Sequence, residues 1–139
     1  MSRAELSPGA AGRVSIVVGE GDLASVLAGV TGDSFPRVLA TARMIALMEI
    51  AAARALVPLL GEGELSVGVN LDVSHTAATP PGATVTATGT FLRMEGKLYV
   101  FEVVAEDGGG EIGRGLHRRA IVARERLEAG AARRVPPRG

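Results

Sequence analysis

The sequence predicts an α+β fold in which one antiparallel β-sheet wraps around a single long central helix. Three observations predict it. Residues 36–57 run through Ala, Leu, Met, Ile and Arg without a glycine, the composition of one long helix. Beyond residue 60, four segments of alternating or β-branched residues follow one another, separated by short turns rich in Gly, Pro and Asp. The helix is apolar almost all the way round, so it needs cover on every side, and a curved sheet supplies most of that cover. The seam left over calls for a second copy of the chain, and a homodimer is the expected closure.

Arg13-Val14-Ser15-Ile16-Val17-Val18 reads as a first short strand, followed by a Gly/Asp-rich turn and a helical turn near residues 22–27. Pro36 fits the first turn of the long helix, where its missing N–H costs nothing, and Pro58 and Gly61 end it. Val67, Val69, Leu71 and Val73 then alternate with Gly68, Asn70, Asp72 and Ser74, the period of a strand with one buried face, and His75 falls on the apolar parity. A Pro-Pro-Gly turn leads into a β-branched strand over residues 83–91. Glu95-Gly96 turns the chain into residues 97–106, and Asp107-Gly108-Gly109-Gly110 turns it into a last strand over 111–124. The expected domain spans residues 13–126, with a flexible N-terminus at 1–12 and a disordered Ala/Arg/Pro-rich tail at 127–139.

A chain of 139 residues suits one domain with a real core. Lys plus Arg and Asp plus Glu number 15 each, so no overall positive field draws in nucleic acid or an anionic membrane. One Tyr, three Phe and no Trp leave little for base stacking. The absence of cysteine excludes disulfides, thiolate metal sites and cysteine nucleophiles, and two histidines make a metal centre a poor expectation. The N-terminal residues lack the apolar stretch of a secretory signal, and Glu49 and Arg54 interrupt the longest apolar run, so a cytoplasmic protein is expected.

Glu49 is the residue that asks for an explanation. It lies inside Met44-Ile45-Ala46-Leu47-Met48-Glu49-Ile50-Ala51-Ala52-Ala53, where burial of a charge is costly unless the group is paired, hydrogen-bonded or given a working pKa. With Thr41 upstream on the same helix and His75 on a later strand, it forms a candidate catalytic set for acyl-transfer or hydrolytic chemistry. Glu49 would serve as general base or nucleophile with a raised pKa, and His75 would orient it and carry the proton. Thr41 and Glu49 are eight positions apart, about 12 Å along a helix, so they are not expected to touch and would converge on substrate or bridge through His75 or water. The Gly68 backbone N–H is a candidate oxyanion donor. His117 reads as structural.

Thr41-Ala42-Arg43-Met44-Ile45-Ala46-Leu47-Met48-Glu49 and Val73-Ser74-His75-Thr76-Ala77-Ala78-Thr79-Pro80-Pro81-Gly82, together with Glu111-Ile112-Gly113 through Ala120, resemble the fluoroacetyl-CoA thioesterase family over roughly residues 35–127. That resemblance implies the hotdog fold, a thioester hydrolase acting on short acyl-CoA esters with fluoroacetyl-CoA among them, and no metal or organic cofactor, water being the co-substrate. It places Thr41, Glu49 and His75 on the family's catalytic Thr, Glu and His. It puts Gly68 on a glycine lining the acyl site and Arg119 on an arginine associated with substrate binding. Of the family's two lid phenylalanines three residues apart, Phe35 matches the second, and Gly32 stands where the first would be. Arg43 occupies a position that is aromatic in the family, adding a guanidinium to the expected substrate-binding set. The expected partners are acyl-CoA and a second copy, with pairing of dimers into tetramers left open. Two alternatives stay open on the same fold: a non-catalytic acyl-CoA-binding module and a thioester hydratase or dehydratase.

Overall fold

The computed structural model describes residues 5–138. Strand β1 (Ala11–Val17) leads through two 3-10 turns (Glu20–Asp22 and Ala24–Leu27) and a short helix α1 (Ala28–Thr31) to the long helix α2 (Thr41–Leu56). Strands β2 (Glu64–His75), β3 (Thr84–Glu95), β4 (Leu98–Asp107) and β5 (Gly110–Ala123) follow, and helix α3 (Arg124–Ala132) ends the run. The five strands form one antiparallel sheet in the order β1-β3-β4-β5-β2, so β1 and β2 are its edges.

The sheet buries one face of α2. Met44, Leu47, Met48, Ala51, Ala52, Ala55 and Leu56 recur at helical spacing and pack on Val85, Ala87, Phe91, Phe101, Val103 and Ile112. Removing one such Leu or Met side chain from water contributes about 1.5–3 kcal/mol, so this stripe holds the layers together. Phe91 meets Tyr99 and Phe101 at ring-centroid separations of 6.0 and 5.8 Å, adding edge and tilted contacts at the sheet's centre. The other side of α2 is left open by one chain: Ile50 and Val57 stay 37% and 58% exposed.

Helix α2 begins at Thr41, five residues after Pro36, which therefore does not occupy its first turn. The reason is tertiary. Leu39 N–H donates to Thr79 O, Ala40 N–H to Asp22 O, and Val38 O accepts from Ala24 N–H, so this stretch pairs with its neighbours instead of with itself. At the other extremes, β1 starts at Ala11, inside the stretch expected to be flexible. Residues 124–132 are helical where a strand end and a disordered tail were expected. Their Arg/Glu/Leu/Ala run has high helix propensity, although none of its side chains is buried. Residues 1–4 of the expected flexible start and the last residue of the tail lie outside the described residues.

Candidate active site

Ala40, the N-cap of α2, has no side chain to cap with, and Thr41 Oγ1 turns elsewhere, lying 2.8 Å from His75 Nδ1. His75 is the last residue of β2. The strand end is pinned there because Ile112 O accepts from both Thr76 N–H and Ala77 N–H. A hydroxyl and an imidazole at this separation form the pair that activates an oxygen nucleophile. Both line a cavity of about 410 Å³, together with Phe35, Pro36, Leu39 and Ala78. His75 Nε2 is buried and has no hydrogen-bond partner among the described residues.

Phe35 is 40% exposed at this cavity. Gly32, three residues before it, ends α1 in the left-handed region at φ +80, its N–H donating to Ala28 O, and a Cβ there would meet nothing within 4 Å. A left-handed residue with a side chain is strained, so this position is shaped by the backbone and not by packing.

A second group forms in the middle of β2. Across the β2–β5 ladder, Gly68 pairs with Arg119 and Asn70 with Arg118, leaving Val69 as an extra residue in a bulge. The bulge reverses which residues face the helix. Ser66 and Gly68 sit opposite Ile121 and Arg119 on the inner face before it, and Leu71, Val73 and His75 sit opposite His117, Gly115 and Gly113 on that same face after it. In a regular strand Gly68 and His75, an odd number of positions apart, would point to opposite sides. The expectation of one inward parity for Val67, Val69, Leu71 and Val73 therefore holds only after the bulge, and Val69 is 51% exposed.

Glu49 reaches into this second group. Its Oε1 lies 4.0 Å from Arg119 Nη1, and a Cβ added at Gly68 would run into that same oxygen. Arg119 is 5% exposed; its Nε donates to Ser66 Oγ at 3.0 Å, Nη2 to Ser66 O at 2.8 Å, and Nη1 contacts His117 Nε2 at 3.1 Å. Burial pulls the Arg119 pKa down and Glu49 opposes that pull. Glu49 itself is 40% exposed, so a single chain does not give it the dry setting its neighbours in the sequence suggest.

The expected residues thus separate into two groups. Thr41, His75 and Phe35 share a cavity; Glu49, Gly68 and Arg119 share a contact set in mid-strand. Arg43 joins neither. Its Nε lies 2.8 Å from Asp22 Oδ1, tying α2 to the turn after β1, beside a separate cavity of about 250 Å³. The outward arginines of β5 are paired, Arg114 with Glu111 and Arg118 with Glu95. His117, set aside from the sequence, lies against the Glu49 group; its two-residue spacing from Arg119 on one strand was the available signal. Among the described residues no His/Cys/Asp/Glu group could hold a metal ion, and no helix is long and apolar enough to cross a membrane.

The comparisons with known proteins agree with one another. The family model described as fluoroacetyl-CoA-specific thioesterase matches residues 18–125. The fluoroacetyl-CoA thioesterase of Streptantibioticus cattleyicolor is 46% identical over 102 residues, 73% of each chain. A solved fluoroacetyl-CoA thioesterase superposes with a TM-score of 0.89 at 38% identity, covering 96% of this chain and 100% of the other. Forms of that enzyme with a threonine changed to alanine or serine have been solved with fluoroacetate and with acetyl-CoA. A thioesterase superfamily member from Thermus thermophilus superposes with a TM-score of 0.83 at 25% identity, covering 93% of both chains. With a curled five-stranded sheet around α2 and a family match from residue 18 through β5, this hotdog-fold chain belongs to the fluoroacetyl-CoA-specific thioesterase family.

Proposed function

We propose that the chain is an acyl-CoA thioesterase that hydrolyses short acyl-CoA esters, fluoroacetyl-CoA among them, to the free acid and CoA. The observation that carries the reading is the Thr41 Oγ1 to His75 Nδ1 contact of 2.8 Å at a cavity of about 410 Å³. As Thr41 Oγ1 adds to the thioester carbon, its proton passes to His75 and then to the departing CoA sulfur. Water, deprotonated by His75 in turn, releases the acid and restores Thr41. Water is the only co-reactant, so no cofactor is needed. In the relatives' solved variants the altered phenylalanine and threonine stand six positions apart, as Phe35 and Thr41 do here, which supports placing both at the acyl group.

Glu49 completes the set from a second copy in this reading, together with Gly68 as oxyanion donor and Arg119 as substrate contact. Two observations support a homodimer: the open edge of β2, and the uncovered Ile50 on α2 with Val57 at its C-cap. The domain proper is residues 13–126, and the cytoplasm is its proposed location. Replacing Glu49 by Gln is expected to lower kcat roughly 10²- to 10⁴-fold while acyl-CoA still binds, read as CoA release from fluoroacetyl- and acetyl-CoA with a thiol reagent. Wild-type turnover in that variant would sink the assignment of Glu49, and binding without turnover in the unmodified protein would favour an acyl-CoA-binding module.

A further inference from the structure

His117 is fully buried, at 0% exposed, with both ring nitrogens engaged: Nδ1 lies 2.8 Å from Asn70 O and Nε2 3.1 Å from Arg119 Nη1. Those two partners determine where its proton is. A guanidinium only donates and a carbonyl only accepts, so Nε2 carries a lone pair and Nδ1 the hydrogen. The ring is neutral and held in one tautomer. Arg119 is thereby held at all three nitrogens, Nε and Nη2 by Ser66 and Nη1 by His117, and it is Nη1 that faces Glu49 Oε1. Gly68 closes the group from β2: a Cβ there would collide with Glu49 Oε1 and lie 2.9 Å from His117 Cε1. The Glu49 carboxylate of α2 thus lies between the Gly68 backbone of β2 and the Arg119 guanidinium of β5.

We propose that His117 is a positioning residue of the thioesterase: as the Nδ1–H tautomer it accepts a hydrogen bond from Arg119 and aims that guanidinium at Glu49, and protonation of the ring undoes the aim. This rests on the reading of Glu49 as catalytic. Protonation would put a hydrogen on Nε2 facing an Arg119 N–H, two donors and two positive charges in contact, and Arg119 has no acceptor form to offer in exchange. The groups facing His117 are Glu49 from α2, the Asn70 carbonyl from β2 and Arg119 from its own strand. Burial and Arg119 disfavour the cation, the Asn70 carbonyl and Glu49 favour it, and burial is the largest influence, so the ring charges only below the ordinary histidine range.

The test compares the full-length protein with its His117→Leu, His117→Gln and Glu49→Gln forms, following CoA release from acetyl-CoA and fluoroacetyl-CoA between about pH 5 and 8. Glutamine keeps an acceptor for Arg119 and cannot titrate. His117→Leu is expected to lose roughly 10- to 100-fold in kcat, because Arg119 loses its register. His117→Gln is expected to recover most of that loss while one proton-linked step disappears from the acid limb of kcat. Nitrogen-15 NMR of the histidines should show a protonated Nδ1 and a bare Nε2 for His117 in the unmodified and Glu49→Gln proteins. Wild-type kcat and an unchanged acid limb in His117→Leu, or an Nε2–H tautomer, would overturn the proposal. If His117→Leu does not fold, the His117→Gln pH profile and the tautomer decide it alone. Full activity in Glu49→Gln would instead remove the catalytic premise, while the NMR spectrum would still judge the His117–Arg119 contact by itself.

Discussion

Arg43 and Arg119 both reach the neighbourhood of α2, and their surroundings give them different work. Arg119 is sealed among Ser66, His117 and Glu49, whereas Arg43 is 41% exposed and paired with Asp22. Asp22 is held below the usual carboxylate range first by Gly19 N–H and then by Arg43. An ion pair this exposed is worth about 0.2–1 kcal/mol, so Arg43→Ala should lower stability by that much and leave KM for acyl-CoA unchanged, measured by urea unfolding and CoA release. His117 supplies a second prediction. Burial lowers its folded pKa beneath the 6.5 of an exposed ring, so between those two values the unfolded chain binds a proton that the folded chain does not. Stability therefore falls as pH drops through that window, and His117→Gln should remove this component from a series of urea melts. Glu49 and His75 stand out in the sequence by type, a carboxylate in an apolar run and a histidine on an apolar parity, whereas Thr41 enters the candidate set chiefly through the family resemblance. His117 does not stand out, since a buried histidine reads as a core residue and only its two-residue spacing from Arg119 sets it on the same face as the Glu49 group.

At the scale of elements, the bulge at Val69 matters most. It allows Gly68 and His75 to face α2 from one strand, one beside Glu49 and the other beside Thr41. Deleting Val69 removes the one unpaired residue, so Gly68 stays opposite Arg119, Asn70 stays opposite Arg118, and Leu71, Val73 and His75 still face α2 along a regular ladder. Both the Thr41–His75 pair and the Glu49–Gly68 contact are then kept, and the expected result is a folded protein, by circular dichroism, that retains thioesterase activity. Alternation alone could not reveal the bulge, because Val67 and Val69 continue the apolar parity of Leu71 and Val73 across it. The start of α2 was misplaced for a related reason. Helix propensity extends back to Pro36, but Thr79 O and Asp22 O take the backbone donors of Leu39 and Ala40, and such distant partners are absent from any local window. The turns between β3, β4 and β5 were legible because those hairpins join sequence neighbours; the pairings of β1 with β3 and of β2 with β5 were not, because they join distant segments.

For the whole molecule, the two residue groups lie at separate places along α2 and β2, and the proposed dimer brings one group from each copy together. Mixing a Thr41→Ala protein with a Glu49→Gln protein, each inactive alone, tests this after subunit exchange. Half the dimers are then mixed and each has one intact site, so about a quarter of full activity should return. If Thr41 and Glu49 serve within one chain, mixing restores nothing. The apolar helix with an uncovered seam is what led the sequence to suggest a partner; the proposed division of the site rests on distances within one chain, which no sequence pattern carries. Gly32 has a consequence for how such enzymes diverge. Its backbone turns left-handed to finish α1, so an aromatic side chain cannot be installed there by one codon change without disturbing the turn that carries Phe35. Installing an aromatic at this position is therefore expected to need exchange of residues 28–35 as a block, read as the ratio of kcat/KM for fluoroacetyl-CoA to that for acetyl-CoA.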